Sequence, residues 1–195
     1  MRNLIALAVL SLLCACSTTK PLTPRAYLDE QTAATITVVA DPVIFVADSS
    51  QMLGTAAGSS VFDDTYKNQD YLNLYGLDVN RMGTHRQYVA AMKWLVPRQS
   101  EDALPVLTLR IGTDTIELHA TSEDAKQLGI AQPLAPSYSK TSKWWYFPTD
   151  AATLSRIAGA GNLSATLTLQ ERLINYTIFS DGRAQLAELT SGLSP

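Results

Sequence analysis

The sequence is poor in cysteine and histidine. Its 195 residues contain only two of each. Both cysteines, Cys14 and Cys16, lie near the N-terminus, so residues 17–195 offer no thiol for a disulfide, a thiolate metal site or a cysteine nucleophile. Two isolated histidines, His85 and His119, do not supply the three or four ligands that a metal site requires. We therefore predict that the protein uses no metal and no cofactor.

A surplus of basic residues is also missing. Lysine and arginine number 15 against 18 aspartates and glutamates, which gives a formal net charge of −3. Nucleic-acid-binding proteins present a basic patch to the phosphates, so we predict no nucleic-acid partner. A hydrophobic fraction of 46% with a charged fraction of 17% is typical of a folded globular chain and not of a disordered one.

The most apolar segment lies at the N-terminus. Arg2 precedes an apolar run over residues 4–13, which is shorter than the roughly 20 residues that span a bilayer. The following Leu13-Cys14-Ala15-Cys16 places a leucine three residues before a cysteine and a small residue directly before it. These features are typical of a targeting signal, which does not belong to the folded domain.

This pattern resembles the lipobox of bacterial lipoproteins. The resemblance implies that residues 1–15 are a signal peptide cleaved by lipoprotein signal peptidase and that Cys16 becomes the lipidated N-terminus. More than one acyl chain is needed for stable anchoring, and this class carries two or three. Ser17, rather than an aspartate, follows the cysteine, which implies sorting to the outer membrane. We expect the protein to be lipid-anchored there and to face the periplasm.

The rest of the chain is expected to form one domain behind a tether. Residues 16–30 are polar and contain prolines, which favours a flexible, semi-extended tether. Residues 31–195 suit a single globular domain with a substantial core. Within that domain, residues 48–69 are rich in small and polar side chains, which predicts a long loop.

Alternating hydrophobic patterns predict a mostly β domain with antiparallel strands. Two hairpins are clearest, one over residues 71–81 and 87–96 and the other over residues 106–111 and 115–120. Five further strands are predicted at residues 34–40, 43–47, 143–148, 163–169 and 173–179. Helices are predicted at residues 123–128, from a cap at Thr149 or Asp150 to Ala158, and after Asp181-Gly182. We predict an antiparallel β-sandwich with two or three short helices, or alternatively a curved antiparallel sheet backed by helices.

Four consecutive aromatic residues stand out in one predicted strand: Trp144, Trp145, Tyr146 and Phe147. Side chains alternate along a strand, so Trp144 and Tyr146 share one face and Trp145 and Phe147 the other. One interpretation is a strand that is covered on both faces. The other is an aromatic surface that binds sugar rings or a protein partner, because aromatic side chains dominate contact energies.

A second candidate patch combines Asn73, Tyr75, Asn80 and Arg81. Arg81 could hold a carboxylate by two parallel hydrogen bonds, but we favour an ion pair with Asp78 across the turn. We interpret both histidines as surface or structural residues. The sequence contains no nucleophile elbow, phosphate-binding loop, dinucleotide fingerprint or zinc-protease motif.

These observations favour a non-enzymatic interaction or assembly module of the cell envelope. Its expected partners are the membrane, through the lipid, and either an envelope protein or a cell-wall glycan. One alternative is a glycan- or peptidoglycan-binding module that uses residues 144–147. Another is an envelope hydrolase whose site is assembled only by the fold, which a histidine hydrogen-bonded to a carboxylate would favour.

Overall fold

The computed structural model describes residues 23–47, 70–94, 103–136 and 142–193, which form ten strands and two helices. The strands are β1 (Arg25–Asp29), β2 (Ala34–Val38), β3 (Val43–Ala47), β4 (Tyr71–Arg81), β5 (Thr84–Lys93), β6 (Val106–Ile111), β7 (Asp114–His119), β8 (Lys143–Thr149), β9 (Leu163–Leu169) and β10 (Arg172–Ser180). The helices are α1 (Ala151–Ala158) and α2 (Arg183–Gly192). The prediction of a mostly β, antiparallel fold with short helical insertions is confirmed.

The strands belong to one antiparallel sheet with the long strand β4 at its centre. β5 pairs with one edge of β4, while β3 and β2 share the other edge, opposite residues 71–74 and 77–80 respectively. Asp41-Pro42 therefore marks a bend between two strands that follow one another along β4. From β3 the sheet continues through β10, β9, β6 and β7, and from β5 it continues to β8.

The two ends of this sheet approach each other. Beyond the end of β7, the backbone N–H of Thr121 donates a hydrogen bond to the carbonyl oxygen of Tyr146 in β8, at 2.8 Å. The enclosed face buries a continuous set of apolar side chains that includes Phe45, Leu107 and Phe147. The sheet therefore wraps around the main hydrophobic core, and burial of this surface is the dominant favourable contribution to folding.

The two helices pack together over the centre of β4. Their buried side chains include Leu154 and Ile157 of α1 and Leu186 and Leu189 of α2. A Cβ atom added to Gly76 would meet the side chains of Leu186 and Leu189. A glycine at this position of β4 therefore allows the helices to approach the strand closely.

The segment 121–136, which follows β7, packs over the other face of the sheet, where Gly129 lies against Val79 and Ala34. Asp29, which is fully buried at the end of β1, holds it in place. Its Oδ2 accepts hydrogen bonds from the backbone N–H groups of Ala131 and Gln132 at 2.7 and 2.9 Å, and its Oδ1 accepts from those of Gln31 and Thr32. Burial acts to raise the pKa of Asp29, but the four N–H donors outweigh it and lower the pKa.

Two predictions of local structure are wrong. Residues 25–29, which we expected in the flexible tether, form strand β1, because pairing with β2 buries part of a polar segment. Residues 123–128 form a single turn instead of a helix. Asp124 and Gln127 hydrogen-bond each other's backbone N–H groups through their side chains, and Gly129, with φ of +100°, redirects the chain. The predicted signal peptide, Cys16 and the loop 48–69 lie outside the described residues.

Candidate functional site

Strand β8 divides its four aromatic side chains between two faces of the sheet. Trp145 and Phe147 enter the enclosed core and are 3% and 0% exposed. Trp144 and Tyr146 lie on the opposite face, with ring planes 14° apart and centroids 6.5 Å apart. Trp144 is half-buried, and its ring centroid lies 5.2 Å from that of Tyr75. Tyr146 is nevertheless buried, at 8% exposure, so Trp144 is the one of the four predicted binding residues that is not buried.

An open cleft of about 720 Å³ runs along β8. Residues 143–146 line one side of it, and residues 121–125 and 130–136 line the other. The side chains of four consecutive strand residues alternate between the two faces. An opening that all four residues line must therefore lie along the edge of the strand, and we call it the edge cleft.

The backbone of β8 is available to the edge cleft. Tyr146 gives its carbonyl oxygen to Thr121, so its backbone groups point away from β5. In an antiparallel pair the residues that bond to the neighbouring strand alternate with those that do not. The N–H and C=O of Trp144, two residues earlier, consequently also point away from β5. Among the described residues, β5 is the one strand that pairs with β8. A strand edge with such unpaired backbone groups, as the described residues leave at Trp144, can pair with another chain.

The edge cleft is mainly apolar with charged groups at its rim. Leu104, which is 53% exposed, lines it together with buried Ile130 and Leu134. Glu123 and Asp124 lie side by side on one wall and are exposed. The Nζ of Lys143, on the β8 side, lies 5.9 Å from the ring centroid of Trp145. The cleft can therefore receive apolar side chains and one or two basic groups.

The structure brings His85 to a carboxylate. Its Nδ1 lies 2.7 Å from Oδ2 of Asp78, whose Oδ1 accepts a hydrogen bond from Nε2 of Gln87, also at 2.7 Å. Asp78 is buried, whereas the side chain of His85 is 48% exposed. His119 lies 3.0 Å from Glu117, but both of these side chains are exposed. The Asp78–His85 pair is therefore better defined than the Glu117–His119 pair.

The second candidate patch is divided by the fold. The predicted ion pair between Arg81 and Asp78 is wrong. The guanidinium of Arg81 instead donates a hydrogen bond to the carbonyl oxygen of Gln127 at 3.3 Å. Asn80 accepts a hydrogen bond from the backbone N–H of Gly83 in the hairpin turn. These two residues belong to the end of the β4–β5 hairpin, whereas Asn73 and Tyr75 are buried nearer its base.

The enclosed core holds a buried polar cluster that the sequence patterns above did not predict. The ammonium of Lys93 pairs with the carboxylate of Asp70, and the hydroxyl of Tyr176 donates to Oδ2 of Asp70 at 3.0 Å. Burial lowers the pKa of Lys93 although Asp70 opposes this, and burial beside Asp70 raises the pKa of Tyr176 well above its ordinary value. The strand pattern does indicate that Lys93 is buried, because Lys93 lies on the same face of β5 as the buried Val89 and Ala91.

Other classes of site receive no support from the described residues. Across residues 23–47, 70–94, 103–136 and 142–193, no three His, Cys, Asp or Glu side chains form a group that could hold a metal ion. In the same ranges no helix is long and apolar enough to cross a membrane. Comparison with protein-family models, curated proteins and solved structures finds no match for this chain. A function must therefore be inferred from the clefts and side chains themselves.

Proposed function

We propose that the protein is a lipid-anchored, periplasm-facing lipoprotein of the outer membrane that acts as a non-enzymatic interaction or assembly module of the cell envelope. The anchor rests on the N-terminal pattern that ends at Cys16. The interaction role is supported by one observation above all: at Trp144 the edge of β8 has no paired strand among the described residues and faces an apolar cleft.

The proposed partner is an envelope protein that inserts an extended segment into the edge cleft. In strand addition, main-chain hydrogen bonds supply affinity and side-chain pockets supply specificity. Trp144 offers both a backbone donor and a backbone acceptor on this edge, and the apolar wall around Leu104 suits alternate apolar side chains. Glu123 and Asp124 suit a segment that also carries a basic residue.

In-cell photo-crosslinking tests whether the edge cleft is the contact surface. A photoreactive phenylalanine analogue at Leu104, 53% exposed in the cleft, should yield a discrete adduct with an envelope protein. The matched control is the same analogue at Met82, which is 101% exposed in the β4–β5 turn. Adducts of equal yield at both positions, or none at Leu104, would contradict the proposal.

A proline substitution tests whether the partner pairs with the backbone of β8. Trp144→Pro removes the edge N–H without removing a hydrogen bond to β5, because this amide points into the cleft. Trp144→Val removes the same ring but keeps the N–H and a strand-favouring side chain. We expect the proline variant to bind the crosslinked partner at least tenfold more weakly than the valine variant.

Equal loss of partner binding in Trp144→Pro and Trp144→Val would instead favour the glycan-binding alternative, in which the faces of aromatic rings make the contact. Trp145 is buried in the core, so Trp144→Ala is the variant that tests this alternative. Retention of the protein on purified cell-wall sacculi that falls with Trp144→Ala would support it. Phe179→Ala is the control, since Phe179 is an exposed aromatic residue on β10 outside the edge cleft.

A second candidate function, the envelope hydrolase, is favoured by the Asp78–His85 pair. A buried carboxylate that orients a partly exposed imidazole is the arrangement of a general base, which could activate water. Ester and peptide hydrolysis by the purified protein should then disappear in His85→Ala and persist in His119→Ala. Absence of hydrolysis in the wild type, across both substrate classes, would argue against this function.

A further inference from the structure

A second cavity, of about 380 Å³, lies beside the edge cleft and has its own walls. Arg25 of β1 and Asn73 and Tyr75 of β4 line it, together with the bend between β2 and β3. Residues 134–136 separate it from the edge cleft, since this segment lines both. We call it the Asn73 cavity.

Asn73 is the least expected residue in this cavity. It is 1% exposed, and its Oδ1 has no hydrogen-bond partner among the described residues. An unpaired buried acceptor costs about 1–3 kcal/mol, and such groups are rare enough in folded proteins to require an explanation. Because a side-chain amide carries both an acceptor and two donors, a ligand that itself contains an amide could satisfy it.

Arg25 supplies a positioned positive charge. One guanidinium nitrogen donates to the carbonyl oxygen of Leu134 at 3.0 Å, and Cζ lies 5.0 Å from the ring centroid of Tyr27. The guanidinium is thus held by two contacts while it retains further N–H donors. A guanidinium held in this way can bind a carboxylate with two parallel hydrogen bonds.

We propose that the Asn73 cavity binds a short peptide through its C-terminal end. Asn73 would pair with the last backbone amide and Arg25 with the terminal carboxylate. The remaining wall includes the apolar side chains of Ile44 and Ala135, which suit a small side chain. This ligand site goes beyond the proposed interaction with an envelope protein and does not depend on it.

Titration of the full-length protein in detergent with alanylalanine tests the proposal, with heat of binding as the readout. We expect saturable binding that weakens at least tenfold when alanylalanine amide, which lacks the carboxylate, is used. Asn73→Leu should abolish binding without lowering the unfolding midpoint, because it removes an unpaired buried group. Arg25→Met should weaken binding of alanylalanine at least tenfold and leave the weak binding of the amide unchanged.

Two results would overturn the proposal. One is the absence of saturable binding of either dipeptide to the wild type, and the other is equal binding by the wild type and Asn73→Leu. Leu104→Asp serves as the control for the neighbouring edge cleft, because Leu104 lines that cleft and not the Asn73 cavity, and it should bind alanylalanine as the wild type does. Loss of partner crosslinking with intact dipeptide binding, or the reverse, therefore identifies which of the two sites has failed.

Discussion

Trp144 and Trp145 are adjacent in β8 and face opposite sides of the sheet. The Trp144 ring contacts Tyr75 at the wall of the Asn73 cavity, at a centroid distance of 5.2 Å, whereas Trp145 is 3% exposed in the enclosed core. Acrylamide should therefore quench the fluorescence of a variant that retains only Trp144 more strongly than one that retains only Trp145. Equal quenching, or stronger quenching of Trp145, would contradict this assignment of faces.

The Asp29 carboxylate should make a pH-dependent contribution to stability. Asp29→Asn places an NH₂ group against buried backbone N–H donors, so we expect the free energy of unfolding at pH 7 to fall by about 3 kcal/mol. The pKa of Asp29 is lowered in the fold. Its stabilisation is therefore complete above the unfolded pKa, about 3.9, and is lost as the pH falls through the folded pKa.

Urea unfolding of both proteins across this pH range provides the measurement. The difference in free energy of unfolding between the wild type and Asp29→Asn should decrease as the solution is acidified. Asp114→Asn is the matched control, because Asp114 is exposed and lies 3.6 Å from Arg156, which is also exposed. It should change stability by no more than about 0.5 kcal/mol. A pH-independent effect of Asp29→Asn would contradict the role assigned to the carboxylate.

The buried pair of Lys93 and Asp70 should show strong coupling. Lys93→Met leaves the carboxylate of Asp70 in the core without its cation, which should cost about 3–5 kcal/mol. Addition of Asp70→Leu should recover part of that loss, because it removes the unpaired charge, while the buried hydroxyl of Tyr176 loses its acceptor. Denaturant unfolding of the single and double variants measures the coupling, and additive losses would show that the two groups do not interact.

The start of α2 should be intolerant of a side chain at Gly182. A Cβ atom there would meet backbone atoms of Asp41 and Pro42, which cannot swing away as a side-chain end can. We expect Gly182→Ala to lower the free energy of unfolding by about 1–3 kcal/mol. Gly161→Ala should lower the free energy of unfolding much less, because no atom lies within 4 Å of the new Cβ. Thermal or urea unfolding of both variants provides the comparison.

Local patterns predicted the hairpins well, but they predicted less completely how the strands pair with one another. The alternation of residues 71–81 and 87–96 predicted β4, β5 and the hairpin that connects them, all of which are present. The same pattern could not predict that β2 and β3 share one edge of β4. That arrangement depends on hydrogen bonds between residues far apart in sequence, which no local period encodes.

The candidate sites were predicted only in part. The aromatic run of β8 was visible from its composition, and the alternation divided its members correctly between two faces. Which face would be enclosed, and which backbone groups of β8 would stay unpaired among the described residues, depended on how the ends of the sheet approach each other. Asn73 appeared in a candidate patch, yet its cavity and its separation from Arg81 emerge only when β1 and residues 134–136 are in place.

The sequence by itself determined the antiparallel, mostly β class and the two faces of β8, because side-chain periodicity and turn residues act over a few neighbouring positions. It also carries the N-terminal pattern on which the proposed lipid anchor at Cys16 rests. The tertiary structure decided which polar groups became buried and how the described strands pair. Burial and strand pairing are properties of the whole chain, so Asp29, Lys93 and Asn73 acquired their environments only through contacts with distant segments.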